Sequence, residues 1–307
     1  ADVMTLCESI LENPDIILRR QLDKVKTEAM NAMKAEGIPY EERIAKLEEL
    51  EYPKPCRDFV YRTFNEFSAT HPWVGEENIR PKSIAREMFE NFRGFADYIN
   101  DYDLHRVEGV LLRHLSSVYK VLVQTVPESF KNEPVQEMEA WLAGLLRGTD
   151  SSLLDEWERL RNPDWKPAEN SAPPEAPDIT RNKREFTALI RTEIFRFLRP
   201  LAAEDYHSAC AALAVSTENA WNAEKLAAAL DPYYATHDRI LLDNEARNGR
   251  HTYVEPAEDG KAWRVCQVLV DAEELNDWQA VFSIDLDQAR EEGKPALILV
   301  SAGPVGE

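Results

Sequence analysis

A proline-rich segment, residues 162–180, divides this chain near its middle and limits the folds it can adopt. Its sequence, NPDWKPAENSAPPEAPDIT, holds five prolines and shows no apolar periodicity. Each proline fixes φ and removes a backbone donor, so such a stretch cannot run through a helix interior or a central strand. We therefore predict a linker at 162–180 that joins a first domain, residues 1–161, to a second domain, residues 181–307.

The first domain is predicted to be an all-α helical bundle, because its apolar residues recur at helical spacing. Leu18 and Leu22 follow Pro14 at intervals of four, and Gly37 supplies a stop for this helix. A second clear pattern predicts a helix from Val107 to Val126. Its apolar face is formed by Leu111, Leu115, Val118 and Leu122. No segment before residue 160 has the alternation of a strand, so the bundle is predicted to contain helices and short loops alone.

The second domain changes its period after three helical patterns. Runs typical of strands follow at 249–256, 262–272, 277–287 and 295–302. The short loops between them favour antiparallel neighbours. The fold class is therefore predicted to be α+β, with a four-stranded antiparallel sheet following helices. This order of elements resembles the nuclear-transport-factor-2-like fold, in which a curved sheet wraps on helices and forms a cone with an open mouth.

Charge and composition exclude several classes of function. A formal net charge of −20 argues against a general polyanion binder, since nonspecific nucleic-acid affinity comes from neutralised phosphates. No apolar run approaches the roughly 18 residues of a membrane span, and the start lacks a signal-peptide pattern, so we expect no membrane partner. The four cysteines form no CxxC pair, which is typical of reduced thiols in a cytoplasmic protein. They are Cys7, Cys56, Cys210 and Cys266.

Sequence motifs for nucleotide or metal chemistry are missing. There is no GxxxxGK[ST] loop, no GxGxxG and no HExxH, and the eleven glycines do not cluster. We therefore expect no ATP binding, no cofactor and no catalytic residue in this chain. His207 and Cys210 have the spacing of half a metal site, but no second half accompanies them. The acidic run DAEELNDW, residues 271–278, lacks the glycine of a calcium loop and is interpreted as a solvated hairpin turn.

One candidate pocket lies where a predicted helix leads into the sheet. The stretch DPYYATHD, residues 231–238, supplies its side chains. On a cone fold these residues would line the mouth, where a His–Asp pair could act in acid–base chemistry. The alternative is that they pack and cap the helix end. The candidate pocket residues are Tyr233, Tyr234, His237 and Asp238.

The helix predicted up to Val126 carries a charge pattern that is unusual for so acidic a chain. Arg106, Arg113 and Lys120 stand seven apart, and residues 109–127 contain no acid. Seven residues are almost two helical turns, so these three residues, the basic row, are expected along one side. One interpretation is the solvent edge of an amphipathic helix. The other is a row of phosphate contacts, which requires positive charges free of competing carboxylates.

A second basic group precedes this helix in the stretch ENIRPKSIAREMF. This group extends the set of candidate nucleic-acid-binding residues by Arg80, Lys82 and Arg86. Ser83 could cap the helix that opens after Pro81 and leave its first backbone amides exposed to a phosphate.

Long stretches of the chain resemble the C-terminal region of a family of bacterial superfamily 2 helicases, related to the DEAD/DEAH-box, superkiller-like RNA helicases. The stretches are YEERIAKLEELEYPKP, HPWVGEENIRPKSIAREMFENFRGFADYINDYDLHRVEGVLLRHLSSVYKVLVQTVPE, DSSLLDEWERLRNP and AWNAEKLAAALDPYYATHD. That region is usually labelled a domain of unknown function, and the resemblance spans nearly the whole chain.

This resemblance implies an accessory region that follows the two ATPase lobes of a helicase. In such relatives a long helix of the bundle contacts the single strand that leaves the motor. The helix with the basic row corresponds to it by position. The chain has no phosphate loop and no DExH box, so the resemblance implies no ATPase activity here. The implied partners are single-stranded RNA or DNA, with RNA favoured, and the motor lobes of the parent helicase.

Two other classes of function stay open. A protein–protein interaction module would show an exposed apolar patch and no affinity for nucleic acid. A small cone-fold enzyme or ligand-binding domain would place a deep pocket around His237.

Overall fold

The computed structural model describes residues 2–74, 78–150, 178–214, 220–243, 246–257 and 260–306. The chain divides into two compact units, Ala1–Thr149 and Asp150–Glu307. The regular structure described in the first unit is helical, and the second combines helices with one antiparallel sheet. The predicted α+β class is confirmed. Most of the predicted linker, residues 162–177, lies outside the described residues.

Eight α-helices are described in the first unit. They are α1 (Asp2–Ser9), α2 (Asp15–Ala35), α3 (Tyr40–Glu48), α4 (Arg57–Thr70), α5 (Ile84–Glu90), α6 (Phe95–Tyr102), α7 (Glu108–Thr125) and α8 (Glu133–Thr149). The helix α7 packs against α1 and α8 through the apolar face that the sequence predicted. Leu111, Leu115, Val118 and Leu122 on this face are fully buried.

The helix α2 ends next to Gly37, the residue that the sequence predicted as its stop. Gly37 has a φ of +72°, in the left-handed region that glycine adopts without steric cost. Its amide donates to the carbonyl of Lys34 over 3.1 Å, and the amide of Ile38 donates to the carbonyl of Met33, also over 3.1 Å. This pair of bonds is the Schellman motif, which satisfies carbonyls that the helix end would otherwise leave free.

The helices α3 and α4 contribute little to the core of the first unit. None of the residues of α3 is buried, and Val60 alone is buried in α4. Large apolar side chains on and beside these helices are exposed instead: Tyr40 to 65%, Phe59 to 50%, Phe67 to 43% and Trp73 to 76%. This segment therefore presents an apolar surface that the unit itself does not cover.

The described part of the second unit holds four α-helices and four strands. They are α9 (Lys183–Ala202), α10 (Tyr206–Ala211), α11 (Ala223–Tyr234), β1 (Thr252–Pro256), β2 (Ala262–Leu269), β3 (Trp278–Asp285), α12 (Leu286–Glu292) and β4 (Ile298–Pro304). The strands form an antiparallel sheet in the order β1-β2-β3-β4, as predicted. Phe282 in β3 faces Val265 in β2 and Leu299 in β4, next to a bulge at Val281.

One face of this sheet packs on helices. Residues of β2 alternate in burial, and the inward set includes Trp263 and Val265. The ring of Trp263 contacts Phe186 of α9 edge-on at 5.0 Å, and Phe197 of α9 contacts Phe282 in the same way at 5.5 Å. Aromatic pairs in this geometry add to the stabilisation that burial alone provides.

The cysteines and the lengths of the helices are two further features of the fold. The four cysteines are free thiols, of which Cys7 is buried and the other three are half-buried. Within the described stretches, every helix is too short or too polar to cross a membrane.

Candidate functional site

The basic row falls partly on α7 and partly before it. The helix begins at Glu108, so Arg106 lies in the preceding turn and does not share the helical alignment predicted for it. Arg113 is exposed on α7 and Lys120 is half-buried. They are seven residues apart, which corresponds to about 10 Å along the helix axis. We call these two residues the basic edge of α7.

The cations of the basic edge have no carboxylate partner in the part of the chain that the structure describes. Within the described residues, neither Arg113 nor Lys120 forms an ion pair, and the same holds for Arg106. Ser117, which lies between the two on the helix, turns its hydroxyl back to the carbonyl of Arg113 over 3.0 Å. Positive side chains without carboxylate partners are the arrangement that phosphate binding requires.

Each residue of the second basic group has a partner within the first unit. Arg80 pairs with Glu12. Lys82 is fully buried, and its Nζ donates to the carbonyls of Glu8 and Leu11 at 2.7 Å each. Burial lowers the pKa of Lys82 to about 8, although the nearby Glu8 opposes that shift. Lys82 therefore has no surface to offer a phosphate.

Arg86 is held by two carboxylates. Its guanidinium lies 2.8 Å from Asp2 and 3.1 Å from Glu90, and the side chain is 17% exposed. Because Arg80, Lys82 and Arg86 all have partners within the unit, we leave the second basic group out of the interface proposed below.

The first amides of α5 are bound by a carboxylate from α1, and this corrects the expectation of a phosphate there. Ser83 makes no cap bond with its side chain. Glu8 instead accepts from the amides of Ile84 and Ala85 at 2.9 and 2.8 Å. The same carboxylate lies 3.0 Å from Nε2 of His114 on α7. A carboxylate at this position fills the place that an anion would take at the helix N-terminus.

An exposed aromatic group, which sequence reasoning did not single out, lies at the end of α4. The rings of Phe67 and His71 stack at 4.1 Å, and Trp73 meets both rings edge-on at 6.0 and 5.7 Å. We call these three residues the aromatic surface. The signal available in the sequence was the apolar spacing of α4, but spacing alone does not tell a buried face from an exposed one.

The candidate pocket residues of the second unit occupy different environments. Tyr233 is fully buried and donates to the carbonyl of Arg239 over 3.2 Å; burial raises its pKa above the usual range. Tyr234 is half-buried, and burial raises its pKa to about 12. His237 is 4% exposed and stacks on Tyr233 at 4.5 Å, whereas Asp238 is exposed.

The carboxylates that face His237 come from another part of the chain. Nε2 of His237 lies 3.0 Å from Asp277 and 3.9 Å from Asp271. Both acids belong to the turn between β2 and β3. The sequence analysis interpreted this turn as solvated, but Asp271 is only 1% exposed. The structure thus gives His237 acidic neighbours from this turn, where the sequence had suggested Asp238.

Comparisons with known proteins give one match. The sequence model of a protein family described as a domain of unknown function (DUF3516) matches residues 1–302, a range that enters both units. No curated protein and no solved structure matches, so the likeness to a nuclear-transport-factor-2-like cone stays one of element order.

Proposed function

This chain belongs to the DUF3516 family, and we propose that it is an accessory region of an ATP-dependent superfamily 2 helicase. In this proposal it binds single-stranded nucleic acid, RNA in preference to DNA, and docks on the ATPase lobes of the parent protein. The family match does not link these domains to helicases. The helicase assignment rests on the sequence stretches that resemble such proteins and on the residues discussed next.

The observation that carries the proposal is the basic edge of α7. Arg113 and Lys120 are accessible, and within the described part of the chain they have no carboxylate partner. The opposite face of α7 is anchored in the core by Leu111 and Leu115, so the helix backbone is a rigid support for both cations. Phosphate contacts from such a support fix the position of a strand without reading its sequence.

The acidity of the chain is compatible with this role. A net charge of −20 repels a polyanion from most of the surface. A nucleic-acid strand would therefore bind where cations are unpaired and would be repelled by the rest of the protein surface. Binding by the chain alone is expected to be weak and to decrease steeply with salt, because few phosphates are neutralised.

The aromatic surface supports the docking part of the proposal. Phe67 on α4 and Trp73 just after it are exposed to 43% and 76%, and Val60 is the one buried residue of α4. Clustered exposed aromatic side chains mark protein–protein contacts more often than isolated ones do. We assign the ATPase lobes of the parent helicase as the partner that covers them.

A binding assay tests the nucleic-acid part. A labelled oligo(U) strand of about 12 nucleotides, a DNA strand of equal length and a duplex would be titrated with the protein at low salt, followed by fluorescence anisotropy. We expect the RNA strand to bind best, and ultraviolet cross-linking with mass spectrometry to locate the contact on α7. Absence of saturable binding by the folded protein at low salt would refute this function.

A protein-interaction module without nucleic-acid affinity is the second candidate, and the aromatic surface favours it. Phe67→Ala combined with Trp73→Ala should abolish binding to separately produced ATPase lobes, measured by calorimetry. Phe130→Ala is the matched control, since Phe130 is 73% exposed in the same unit but outside this surface. If the double variant no longer binds the ATPase lobes and the wild type binds no oligo(U), the second candidate replaces the first.

A further inference from the structure

The side chain of His237 is held in one orientation by the end of α11. Its Nδ1 lies 3.1 Å from the carbonyl oxygen of Tyr233 and 2.8 Å from the hydroxyl of Thr236. A carbonyl oxygen can only accept, and the Thr236 hydroxyl has the carbonyls of Pro232 and Tyr233 to donate to. We therefore assign a proton to Nδ1, so that in the neutral ring the lone pair lies on Nε2.

That lone pair faces negative charge. Among the residues that the structure describes, buried Nε2 has no hydrogen-bond partner. Its neighbours are the carboxylates of Asp277 at 3.0 Å and Asp271 at 3.9 Å. Asp277 lies within ion-pair distance, but its direction from the ring does not satisfy an N–H···O hydrogen bond. A lone pair and two anions repel one another unless a proton or a metal ion lies between them, and the absence of a hydrogen bond from Nε2 to Asp277 at this distance favours the metal ion.

We propose that His237, Asp271 and Asp277 bind a divalent metal ion of the zinc type. The three donor atoms lie within 4.8 Å of one another. Zinc bonds to nitrogen and oxygen of about 2.0–2.1 Å, at a tetrahedral angle, place two donors roughly 3.3 Å apart. The distances of 3.0 and 3.9 Å from Nε2 lie on either side of that spacing. When a metal ion lies on the axis of the Nε2 lone pair, its other ligands lie off that axis. An oxygen at such a position would be poorly aligned to accept a hydrogen bond from Nε2.

The groups around these donors are those that orient metal ligands. A ligating imidazole usually donates its other N–H to a carbonyl, as Nδ1 of His237 does to Tyr233. The carboxylate of Asp271 accepts from the amides of Leu275 and Asn276 at 3.0 and 2.6 Å, which fixes its orientation. The site therefore has supporting contacts on two of its three ligands.

The third ligand provides access. The side chain of Asp277 is 57% exposed, whereas His237 and Asp271 are buried, so an ion can enter past it. One histidine and two carboxylates favour zinc, manganese and related ions over soft cations. Three protein ligands also leave a coordination position for water. A metal here would join the end of α11 to the turn between β2 and β3.

The test uses the full chain after removal of metals with a chelator. Zn²⁺ binding would be measured by calorimetry, and Co²⁺ would be added as a spectroscopic probe whose absorption bands report nitrogen and oxygen coordination. We expect one ion per chain. Asp277→Asn should weaken binding by more than about tenfold, and because this side chain is exposed the variant should still fold. His237→Gln should do the same and remove the Co²⁺ bands.

Glu274→Gln is the matched control, because it removes one negative charge from the same turn at an exposed position outside the three donors. It should bind Zn²⁺ as the wild type does. Three results overturn the proposal: no Zn²⁺ binding up to millimolar concentration, binding that Asp277→Asn leaves unchanged, or nitrogen NMR that shows a proton on Nε2 of His237 in the presence of excess Zn²⁺.

Discussion

The carboxylate of Glu8 lies 3.0 Å from Nε2 of His114, and both side chains are buried. Glu8 also accepts from the backbone amides of Ile84, Ala85 and Arg86. One side chain on α1 thereby joins the start of α5 to the middle of α7. The helix that carries the basic edge is oriented through this contact, which connects the stability of the first unit to its proposed function.

Removal of the Glu8 carboxylate should destabilise the first unit strongly. Glu8→Ala would leave three amides and a buried imidazole without their acceptor, and such losses cost about 3 kcal/mol or more. We expect a clear decrease in the urea midpoint, followed by circular dichroism at 222 nm. Glu12→Ala is the control: Glu12 is 91% exposed in its pair with Arg80, so its loss should cost less than about 1 kcal/mol. Equal midpoints for the two variants would contradict this account.

Lys82 makes stability depend on pH. Burial lowers its pKa to about 8 in the folded chain, against an ordinary value of 10.5. Between these values the unfolded chain binds a proton that the folded chain does not, so stability rises with pH across this window. The cost of burying the charge is present below about pH 8 and is removed as the pH approaches 10.5.

The measurement is a comparison of variants. Urea midpoints of the wild type and Lys82→Met would be recorded from about pH 7 to pH 10, and we expect the wild type to gain on the variant as the pH rises. Lys34→Met, at an exposed position, should keep a constant difference from the wild type. A difference for Lys82→Met that is independent of pH would show that the buried amine does not titrate in this range.

Cys7 should be the least reactive of the four thiols. Burial raises its pKa to about 11, and the adjacent Glu8 adds to that shift. Because the thiolate is the reactive form, alkylation of Cys7 at about pH 8 requires unfolding. We expect mass spectrometry after iodoacetamide treatment to find Cys7 modified only in denaturant, with the half-buried Cys266 modified earlier in the folded protein. Labelling of both at one rate without denaturant would be inconsistent with the structure.

Local signals predicted much of the fold. The end of α2 at Gly37 could be predicted because the left-handed backbone there depends only on this residue and its immediate neighbours. The four strands followed from alternation and short loops. The helix α12 was missed although Asp285 caps its start and Gly293, with a φ of +66°, ends it. At seven residues it is too short for apolar periodicity to show.

The arrangement of charged groups could not be predicted from the sequence, because it depends on contacts between distant residues. Lys82 and Arg86 were predicted to bind nucleic acid, yet each is bound by a residue of α1 far earlier in the chain, Lys82 by Glu8 and Arg86 by Asp2. His237 was paired with the adjacent Asp238, whereas its acidic neighbours come from the turn before β3. Spacing along one helix shows which residues share a side, but partners supplied by another element appear only once the chain is packed.

The last prediction concerns Arg113 and Lys120. If both contact phosphates, each contributes about 0.7 to the slope of log affinity against log salt for a single strand. Arg113→Ala with Lys120→Ala should therefore lower the slope of oligo(U) binding by about 1.4 and weaken binding at every salt concentration. Lys46→Ala with Arg57→Ala removes the same charge from exposed residues that already pair with Glu42 and Glu51, so this control should leave the slope unchanged. Arg106→Ala tests whether the turn before α7 adds a third contact, which would contribute about 0.7 to the slope.

If α7 presents only a solvent edge, the double variant will match the control in affinity and slope, and its stability will change by less than about 0.5 kcal/mol per residue. That result would remove the basic edge from the proposed function.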